Sequence, residues 1–462
     1  MKIKIIFNGR EMLAERGELL SDVLIRNGAA IARPCAGRGT CGKCRVLVDG
    51  VPTLSCKYLV EHDISVTAFD EGDFLVESGA FVGDGHGGTD LVLDLGTTTL
   101  ALALIDRKSK SVVRVVTATN PQRSFGADVI SRIEYCQKHG VDELTHAIRA
   151  EVSRMIRELG AGDLDTLYVA GNTTMLHIFA GVDPSSMGAA PYTPSFLDEV
   201  IESAEKYGIA GVRTVRLLPS VSAFVGADVV AGIYEVGLPT HGYRMLIDLG
   251  TNAEIALLSR DKIVTTSAAA GPCFEGACIS SGMSATEGAI YAYDGVRIKT
   301  INDAPARGIC GTGLIDIIAF LLGRAKIDAS GRLDEEEFEI LNGISVTQED
   351  IRQYQLAKSA IYSAVVTLAN KCNIEFSQVH AVYISGGFSA RINAENAAIT
   401  GLIPKELADR SYSIGNSSLN GAIRSILDDY NLSKIASKAS YIDLSCDTEF
   451  ADLFIKSMGF AR

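Results

Sequence analysis

Two stretches of the chain share one pattern of apolar and polar positions. Each is an apolar run that ends in Asp-Leu-Gly-Thr and continues into a second apolar run, at residues 91–106 and 244–259. Such paired runs around a Gly/Thr turn predict a hairpin of two buried strands. A second pair of apolar runs, LYVAGN at 167–172 and VYISGG at 382–387, follows in the same order and also ends in glycine turns. The two echoes predict two structurally similar lobes.

Between these strands the apolar positions recur at helical spacing. ADVISRIEYCQKHG (127–140), ELTHAIRAEVSRMIRELG (143–160) and KSAIYSAVVTLANKCN (358–373) are amphipathic on this reading. Strands alternating with helices at this spacing predict an α/β architecture for this part of the chain.

The first 80 residues have a different pattern. KIKIIFN (2–8) alternates as a strand does, SDVLIRNG (21–28) reads as a short capped helix, and DISVTAFD (63–70) is a further strand. Four glycines within 83–88 predict a flexible linker. The predicted organisation is a small β-rich domain at 1–80, a linker at 81–89, and lobes at 90–240 and 241–462, with the C-terminal helix free to return to the first lobe.

Composition narrows the function classes. The net charge of −13 and the absence of tryptophan argue against a nucleic-acid binder. No apolar run reaches the ~18 residues of a membrane span, and the start of the chain reads as a strand rather than a signal peptide. These features predict a cytoplasmic protein without a membrane segment.

The stretch CAGRGTCGKC at 35–44 carries the most specific chemistry. Cys35, Cys41 and Cys44 are separated by five and two residues, and Cys56 follows after eleven more. Zinc ribbons use paired CxxC knuckles, and a thioredoxin-type dithiol has no need of two further cysteines. A [2Fe–2S] cluster fits best, because one irregular loop can supply three of its four thiolates.

The other cysteines and the histidines show no spacing typical of a second metal site. We expect buried thiols at the remaining positions and a packed helix residue at His177. The six remaining cysteines are Cys136, Cys273, Cys278, Cys310, Cys372 and Cys446.

The two Asp-Leu-Gly-Thr turns are candidates for phosphate binding. A glycine turn exposes backbone N–H groups, threonine hydroxyls add donors, and an acid at the strand end can hold Mg²⁺ through water. Neither turn matches the P-loop or the dinucleotide fingerprint. Glu254, on an otherwise apolar strand, must be paired or functional, and could orient water or Mg²⁺. The candidate turn residues are Asp94, Gly96, Thr97, Thr98, Asp248, Gly250, Thr251 and Asn252.

These motifs carry two resemblances. The cysteine loop is similar to the [2Fe–2S] loop of ferredoxins. The two turns, together with ISGGF at 384–388, resemble the two phosphate loops and the adenosine turn of the superfamily of sugar kinases, heat-shock ATPases and actin. The second resemblance implies two ribonuclease-H-type lobes that close over ATP, with Gly386 and Gly387 against the adenosine.

Longer stretches are similar to one branch, the ATP-dependent reductive activators of corrinoid proteins. The resemblance implies a β-grasp ferredoxin-like domain joined to an actin-like ATPase, which reduces Co(II) to Co(I) on a corrinoid protein of a methyltransferase system. It also implies a low-potential donor, such as a ferredoxin or a flavodoxin reductase. The stretches lie at 270–290, 307–322, 348–361, 383–404 and 415–422.

Two further points are expectations at this stage. Larger family members insert a middle domain after the cluster, and we expect this chain to lack it. A homodimer is the commonest default for a soluble enzyme. The alternative functions are a small-molecule kinase with an iron–sulfur regulatory domain and an electron carrier whose nucleotide site has decayed.

Overall fold

The computed structural model describes residues 2–7, 10–27, 45–49, 51–68, 88–126, 128–162, 164–276, 278–341, 343–387 and 389–460. The chain divides into two units, Met1–Phe74 and Leu75–Arg462. Within the described ranges, no helix is both long enough and apolar enough to cross a membrane.

The first unit is a five-stranded sheet with one helix. Strand order is β2-β1-β5-β3-β4, with β1 and β5 parallel and the other neighbours antiparallel. Leu20, Val23 and Leu24 of the helix lie in one apolar core with Ile5 and Val66 of the sheet. This is the expected β-grasp arrangement. Its elements are β1 (Lys2–Phe7), β2 (Arg10–Glu15), α1 (Leu20–Arg26), β3 (Arg45–Val48), β4 (Val51–Leu54) and β5 (Ile64–Ala68).

The second unit begins with a six-stranded sheet in the order β10-β11-β9-β6-β7-β8. Strands β6, β7 and β8 form an antiparallel meander, and β9 runs parallel to β6. The strands are β6 (Thr89–Leu95), β7 (Thr99–Asp106), β8 (Ser111–Thr119), β9 (Leu164–Gly171), β10 (Val200–Ser203) and β11 (Val212–Leu217). The helices are α2 (Val129–His139), α3 (Asp142–Leu159), α4 (Thr173–Ala180) and α5 (Ala227–Val236).

A second six-stranded sheet repeats this plan in the order β21-β20-β12-β13-β14-β22. Its strands are β12 (Tyr243–Leu249), β13 (Ala253–Leu258), β14 (Ile263–Ala268), β20 (Val379–Ser385), β21 (Ser411–Gly415) and β22 (Ala439–Tyr441). Two small sheets lie between β14 and β20 in sequence, formed by β15 (Ala289–Tyr293), β16 (Ile298–Thr300) and β17 (Gly308–Ile309), and by β18 (Glu337–Leu341) and β19 (Ile344–Thr347). The remaining helices are α6 (Gly311–Gly323), α7 (Gln348–Lys371), α8 (Ala394–Ile399), α9 (Ser417–Leu427), α10 (Ser433–Ala436) and α11 (Thr448–Lys456).

Short 3-10 helices join several of these elements. They lie at Pro121–Ser124, Ser185–Met187, Ala204–Tyr207, Pro272–Glu275, Ile301–Asp303, Phe376–Gln378, Ser389–Arg391 and Lys405–Arg410.

The two sheets confirm the duplicated lobes that the sequence predicts. In each, an Asp-Leu-Gly-Thr turn joins the first two strands of a meander, β6 to β7 and β12 to β13. In each, the strand that ends in a glycine turn pairs in parallel with the first meander strand, β9 with β6 and β20 with β12. Because the carboxyl ends of parallel strands meet at one sheet edge, each Asp-Leu-Gly-Thr turn lies beside a glycine turn.

A helix from the second half of the chain packs on the first sheet. Helix α9 contacts α5, β6 and β9, and its Leu419, Ala422 and Ile423 belong to the apolar core of the first lobe. The last helix, α11, packs instead on α7. The return to the first lobe is therefore made by α9 rather than by the C-terminal helix.

Glycine makes the contact between α5 and α9 possible. An ideal Cβ at Gly421 would lie 1.9 Å from the carbonyl oxygen of Ala231, and one at Gly232 would lie 2.7 Å from Ser417 Oγ. At Gly421 a side chain would push the two helices apart, because the clash is with backbone, whereas at Gly232 the nearest atom belongs to the Ser417 side chain.

We therefore expect Gly421→Ala to lower the free energy of unfolding by about 2 kcal/mol or more, because the clash is with backbone and cannot be relieved by a rotamer change. Asn420→Ala, at the neighbouring position of the same helix, is the matched control. Thermal unfolding of both variants measures the difference. Equal midpoints for the two variants would contradict the close crossing.

Candidate functional site

The first turn is centred on Asp94, one residue before the end of β6. Its Oδ2 accepts a hydrogen bond from Asn416 Nδ2 at 2.7 Å, and its Oδ1 accepts one from Ser418 Oγ at 2.7 Å. Asn416 is the N-cap of α9, and Ser418 lies in its first turn. Both carboxylate oxygens are therefore held by a helix from the other half of the chain.

Close packing and two side chains hold the backbone of the first turn in place. An ideal Cβ at Gly96 would lie 2.5 Å from the carbonyl oxygen of Thr99, so only glycine fits there. Asn120 Nδ2 donates to the carbonyl oxygen of Gly96 at 2.8 Å, and Arg132 Nη2 donates to that of Thr97 at 2.6 Å. These contacts fix the carbonyl groups of the turn.

The second turn places two acids side by side. Asp248 of β12 lies directly opposite Glu254 of β13 in the antiparallel register, so the two side chains share one face of the sheet. The turn between them is closed by a hydrogen bond from Gly250 N to the carbonyl oxygen of Asn252 at 2.9 Å. On the next strand, Ser267 Oγ lies 3.5 Å from Glu254 Oε1. The predicted catalytic residue Glu254 is thus a cross-strand neighbour of Asp248.

The two turns meet at one side chain. Thr98 Oγ1 of the first turn donates to Glu275 Oε2 at 2.5 Å, and Thr251 Oγ1 of the second donates to Glu275 Oε1 at 3.0 Å. The structure therefore brings the two predicted phosphate turns to opposite sides of a single carboxylate. Sequence reasoning missed Glu275, although it lies in the family-like stretch 270–290.

Sequence reasoning also missed Asp228, in the first turn of α5. Its helix starts against the end of β9, because an ideal Cβ at Gly226 would lie 2.4 Å from the carbonyl oxygen of Gly171. The available signal was a lone acid at the start of an otherwise apolar helix, ADVVAGIYEV. An acid in a first helical turn is ordinarily read as a favourable dipole contact, and so it did not stand out.

Four carboxyl groups interact across this site, and their pKa values show it. Burial, with the charge of Asp94, raises the pKa of Asp248 to about 6. Burial, with the charge of Asp248, raises the pKa of Asp228 to about 7. Burial and the charges of Asp228 and Asp248 raise the pKa of Glu254 well above its usual range. Burial also raises the pKa of Asp94, against the hydrogen bonds from Ser418 and Asn416. The site therefore concentrates negative charge, and none of these four acids forms an ion pair with a basic side chain of the described residues.

This arrangement suits a hydrated divalent ion better than a fully protein-bound one. No group of three or more His, Cys, Asp or Glu side chains in the part of the chain that the structure describes is close enough to bind one metal ion. Mg²⁺ keeps several waters and is usually bound by one or two carboxylates with substrate phosphates. Asp94 and Asp248 fit that role.

A buried cation lies behind the first turn. Arg132 is 0% exposed, and besides Thr97 it donates to the carbonyl oxygen of Gly126 at 3.1 Å and to Gln122 Oε1 at 3.3 Å. Burial lowers its pKa to about 10, so it remains charged at neutral pH. It forms no ion pair with any described acid. Its charge is therefore available to attract an anion at the turn.

The two glycines of ISGGF have different surroundings. Gly386 has a φ of 116°, and an ideal Cβ there would lie 2.0 Å from the carbonyl oxygen of Leu249, so it packs against the strand that leads into the second turn. An ideal Cβ at Gly387 would meet nothing within 4 Å. Gly387 therefore faces open space, as a ligand contact would require. Phe388 lies outside the described residues.

Of the four predicted cluster ligands, the structure describes Cys56 alone. It is buried in the turn that follows β4. Cys35, Cys41 and Cys44 lie outside the described residues. The assignment of Cys56 as a cluster ligand stays a prediction.

The expectation of six buried thiols is partly wrong. Cys136, Cys273 and Cys310 are buried, but Cys372 is half-buried, and Cys278 and Cys446 are exposed. The last two lie in turns, where neighbouring backbone does not cover a side chain.

His177 is a packed helix residue, as predicted. It is fully buried, its Nδ1 lies 2.8 Å from the carbonyl oxygen of Thr173, and its Nε2 accepts from Ser195 N at 3.0 Å.

Comparisons with known proteins agree with this geometry. Three family models match consecutive segments: a 2Fe-2S iron–sulfur cluster binding domain at 1–70, the RACo middle region at 89–241, and the C-terminal domain of RACo, described as the ASKHA domain, at 242–462.

Two curated relatives and one solved structure have related names. The corrinoid activation enzyme RamQ of Eubacterium limosum is 30% identical over 80% of this chain and 70% of its own. The [Co(II) methylated amine-specific corrinoid protein] reductase of Methanosarcina barkeri is 28% identical over 76% of this chain and 72% of its own. A solved structure, titled reductive activator for corrinoid, iron-sulfur protein, is 26% identical, covers 99% of this chain and 98% of its own, and has a TM-score of 0.76.

The fold and the facing turns define the class: a two-lobed, actin-like ATPase that follows an iron–sulfur domain. Within that class, the chain belongs to the RACo family of corrinoid reductive activators.

The expectation that this chain lacks the family's middle region was wrong. That region matches residues 89–241, which form the first lobe with its six-stranded sheet. The Asp-Leu-Gly-Thr turn of this segment predicts an ATPase lobe, and these same residues are the family's middle region.

The burial of Asp248 beside other acids predicts that the free energy of unfolding depends on pH. Because the pKa of Asp248 is raised in the folded protein, this group stabilises the fold at low pH, and that contribution disappears as the pH rises through about 6. The stability of Asp248→Asn relative to wild type should therefore increase between pH 4 and pH 7, by on the order of 2 kcal/mol, and should stay constant above that range.

Thermal unfolding without divalent ions measures this difference. Asp261→Asn, on the exposed turn between β13 and β14, is the matched control. A constant difference between Asp248→Asn and wild type across this pH range would contradict the raised pKa of Asp248.

Proposed function

We propose that this protein uses ATP to drive the one-electron reduction of a corrinoid on a partner protein from Co(II) to Co(I). The observation that carries the proposal is the meeting of the two Asp-Leu-Gly-Thr turns across Glu275, in a chain of the RACo family. The named activities of the relatives are corrinoid activation and corrinoid-protein reduction.

In this proposal the nucleotide lies between the two turns. Thr97, Thr98, Thr251 and Asn252, with the backbone at Gly96 and Gly250, offer donors to its phosphates. The open space at Gly387 supports a place for the adenosine at ISGGF. The buried charge of Arg132 favours phosphate at the first turn.

The acids divide into two roles. Asp94 and Asp248, at the strand ends, would hold Mg²⁺ through water and the phosphates. Asp228 and Glu254 lie next to them, and a carboxylate whose pKa lies near neutrality is suited to accept a proton from an attacking water. We assign that part to Asp228, and a supporting part to Glu254.

Cys35, Cys41, Cys44 and Cys56 would hold a [2Fe–2S] cluster, which supplies one-electron chemistry when bound. Burial of Cys56 keeps water away from its sulfur. The electron would come from a low-potential protein donor of the ferredoxin or flavodoxin-reductase kind. A homodimer remains a prediction.

In this proposal ATP supplies the free energy that the reduction of Co(II) requires. Plant-type clusters have potentials near ~−400 mV, and Co(II) to Co(I) is a harder reduction. Closure of two lobes over ATP can shift the equilibrium only if the closed form binds one redox state of the partner better than the other. Hydrolysis then reopens the lobes and makes the cycle directional.

The direct test mixes anaerobically purified protein with reductant, ATP and a Co(II) corrinoid protein, and follows the absorption of Co(I). Formation of Co(I) should depend on ATP. Equal rates without ATP would contradict the proposal, and ATP turnover stimulated by a small hydroxyl compound would favour a kinase.

Asp228→Asn should lower the rate of ATP hydrolysis about 100-fold, since it removes the proton acceptor while leaving the shape of the site intact. ATP affinity should hold, because the phosphate donors are unchanged. Glu235→Gln, on the same helix but in an ion pair with Arg424, is the matched control. An unchanged hydrolysis rate in Asp228→Asn would rule out this role.

Cys56→Ser should remove the visible absorption of the cluster and abolish Co(I) formation. ATP binding should persist, because Cys56 lies in the first unit. Cys446→Ser, at an exposed cysteine of the second unit, is the control and should retain the spectrum. A normal spectrum in Cys56→Ser would contradict the ligand assignment.

A further inference from the structure

Glu275 has no part in the mechanism above, yet it has the most central position in the site. Its two carboxylate oxygens each accept from a different turn, Oε2 from Thr98 at 2.5 Å and Oε1 from Thr251 at 3.0 Å. It also lies close over the second turn, because an ideal Cβ at Gly250 would be 3.8 Å from Oε1. The carboxylate of Glu275 therefore occupies the position where a group can accept hydrogen bonds from both turns at once.

The backbone that carries Glu275 is anchored in the second lobe. Cys273 and Phe274 of the same 3-10 helix are buried in the core of that lobe, and the ring of Phe274 meets that of Tyr354 edge to face at 5.6 Å. Thr98 belongs to the first lobe. The Glu275 side chain therefore crosses from one lobe to the other.

The segment has a glycine at each end of this helix. Gly271 has a φ of 75° and Gly276 a φ of 82°. Beyond Gly276 the chain returns to α7, where Ser280 N donates to Asp350 Oδ1 at 2.7 Å in the first turn of that helix. A change at Glu275 is thus connected through a short segment to the start of α7.

A carboxylate and a phosphate make the same demand on these turns. Both are anions that accept hydrogen bonds from hydroxyl groups, and like charges at this distance repel strongly away from bulk water. Thr98 and Thr251 therefore cannot donate to Glu275 and to a phosphate in the same position at the same time.

We propose that Glu275 is an internal competitor for the terminal phosphates of ATP. Without nucleotide, it bridges the two turns and holds the lobes together. ATP must displace it, which removes one of the contacts that hold the segment 271–284 in place. This inference rests on the proposed nucleotide site and assigns that site a built-in autoinhibitory contact.

The test is the affinity of the full-length protein for a non-hydrolysable ATP analogue, measured by calorimetry with Mg²⁺. Glu275→Gln removes the negative charge but keeps the side-chain size, and it should bind the analogue about tenfold tighter, as expected if roughly a tenth of wild-type molecules have open turns at any moment. AMP, which lacks the terminal phosphates, should bind equally to both proteins. Glu287→Gln, on the exposed part of the next loop, is the control.

A second variant and a second measurement distinguish the proposed effect from misfolding of Glu275→Gln. Glu275→Asp keeps the charge but is too short to reach both turns, and should give an intermediate affinity. Hydrogen exchange of 271–284 in nucleotide-free protein should be faster in Glu275→Gln than in wild type, and wild type with the ATP analogue should resemble the variant.

Equal or weaker analogue binding by Glu275→Gln, with binding by wild type intact, would overturn the competitor role and leave the proposed function standing. A loss of hydrolysis with unchanged affinity would do the same and make Glu275 part of the chemistry. If neither protein binds the analogue, the proposed nucleotide site fails and this inference fails with it. Unchanged exchange of 271–284 would show that no bridge exists.

Discussion

The contact between Asp94 and the start of α9 joins residues 322 and 324 positions apart in the chain. It forms because α9 lies almost backbone to backbone on α5, at Gly421 and Gly232. Helix α5 in turn carries Asp228. One close helix crossing therefore sets the positions of two acids of the site, and it binds the second half of the chain to the first lobe.

The site built on this crossing is electrostatically costly. Burial and neighbouring acids raise the pKa values of Asp228, Asp248 and Glu254, and burial raises the pKa of Asp94. The buried charge of Arg132 is held by carbonyl and amide oxygens and a thioether rather than by an acid. A fold selected only for stability would not keep such groups together. A Mg²⁺ ion would supply positive charge to the acids, and the charge of Arg132 would attract the phosphates that come with it, so both features are consistent with a nucleotide site.

Much of the fold followed from local patterns. The duplicated hairpins, the α/β class and a small β-rich first domain were predicted because apolar runs, glycine turns and amphipathic spacing act over a few residues, whereas the β-grasp fold of that domain was implied by the family resemblance. Two residues of the site were not predicted from the sequence. Asp228 looked like an ordinary first-turn acid, and Glu275 lay in a stretch recognised by resemblance, with no chemistry of its own. Cys278 and Cys446 were expected to be buried because local composition does not show which turns face solvent.

The sequence by itself determined the chemical groups and their local settings: four cysteines at cluster spacing, and an acid followed by a Gly-Thr turn at the end of each of two buried strands. These properties depend on neighbours along the chain. Only the tertiary structure decided that the two turns share Glu275, that α9 rather than the last helix returns to the first lobe, and that four carboxylates face one another. Such contacts join segments far apart in sequence, and they are set by packing and charge across the cleft, which no local pattern records.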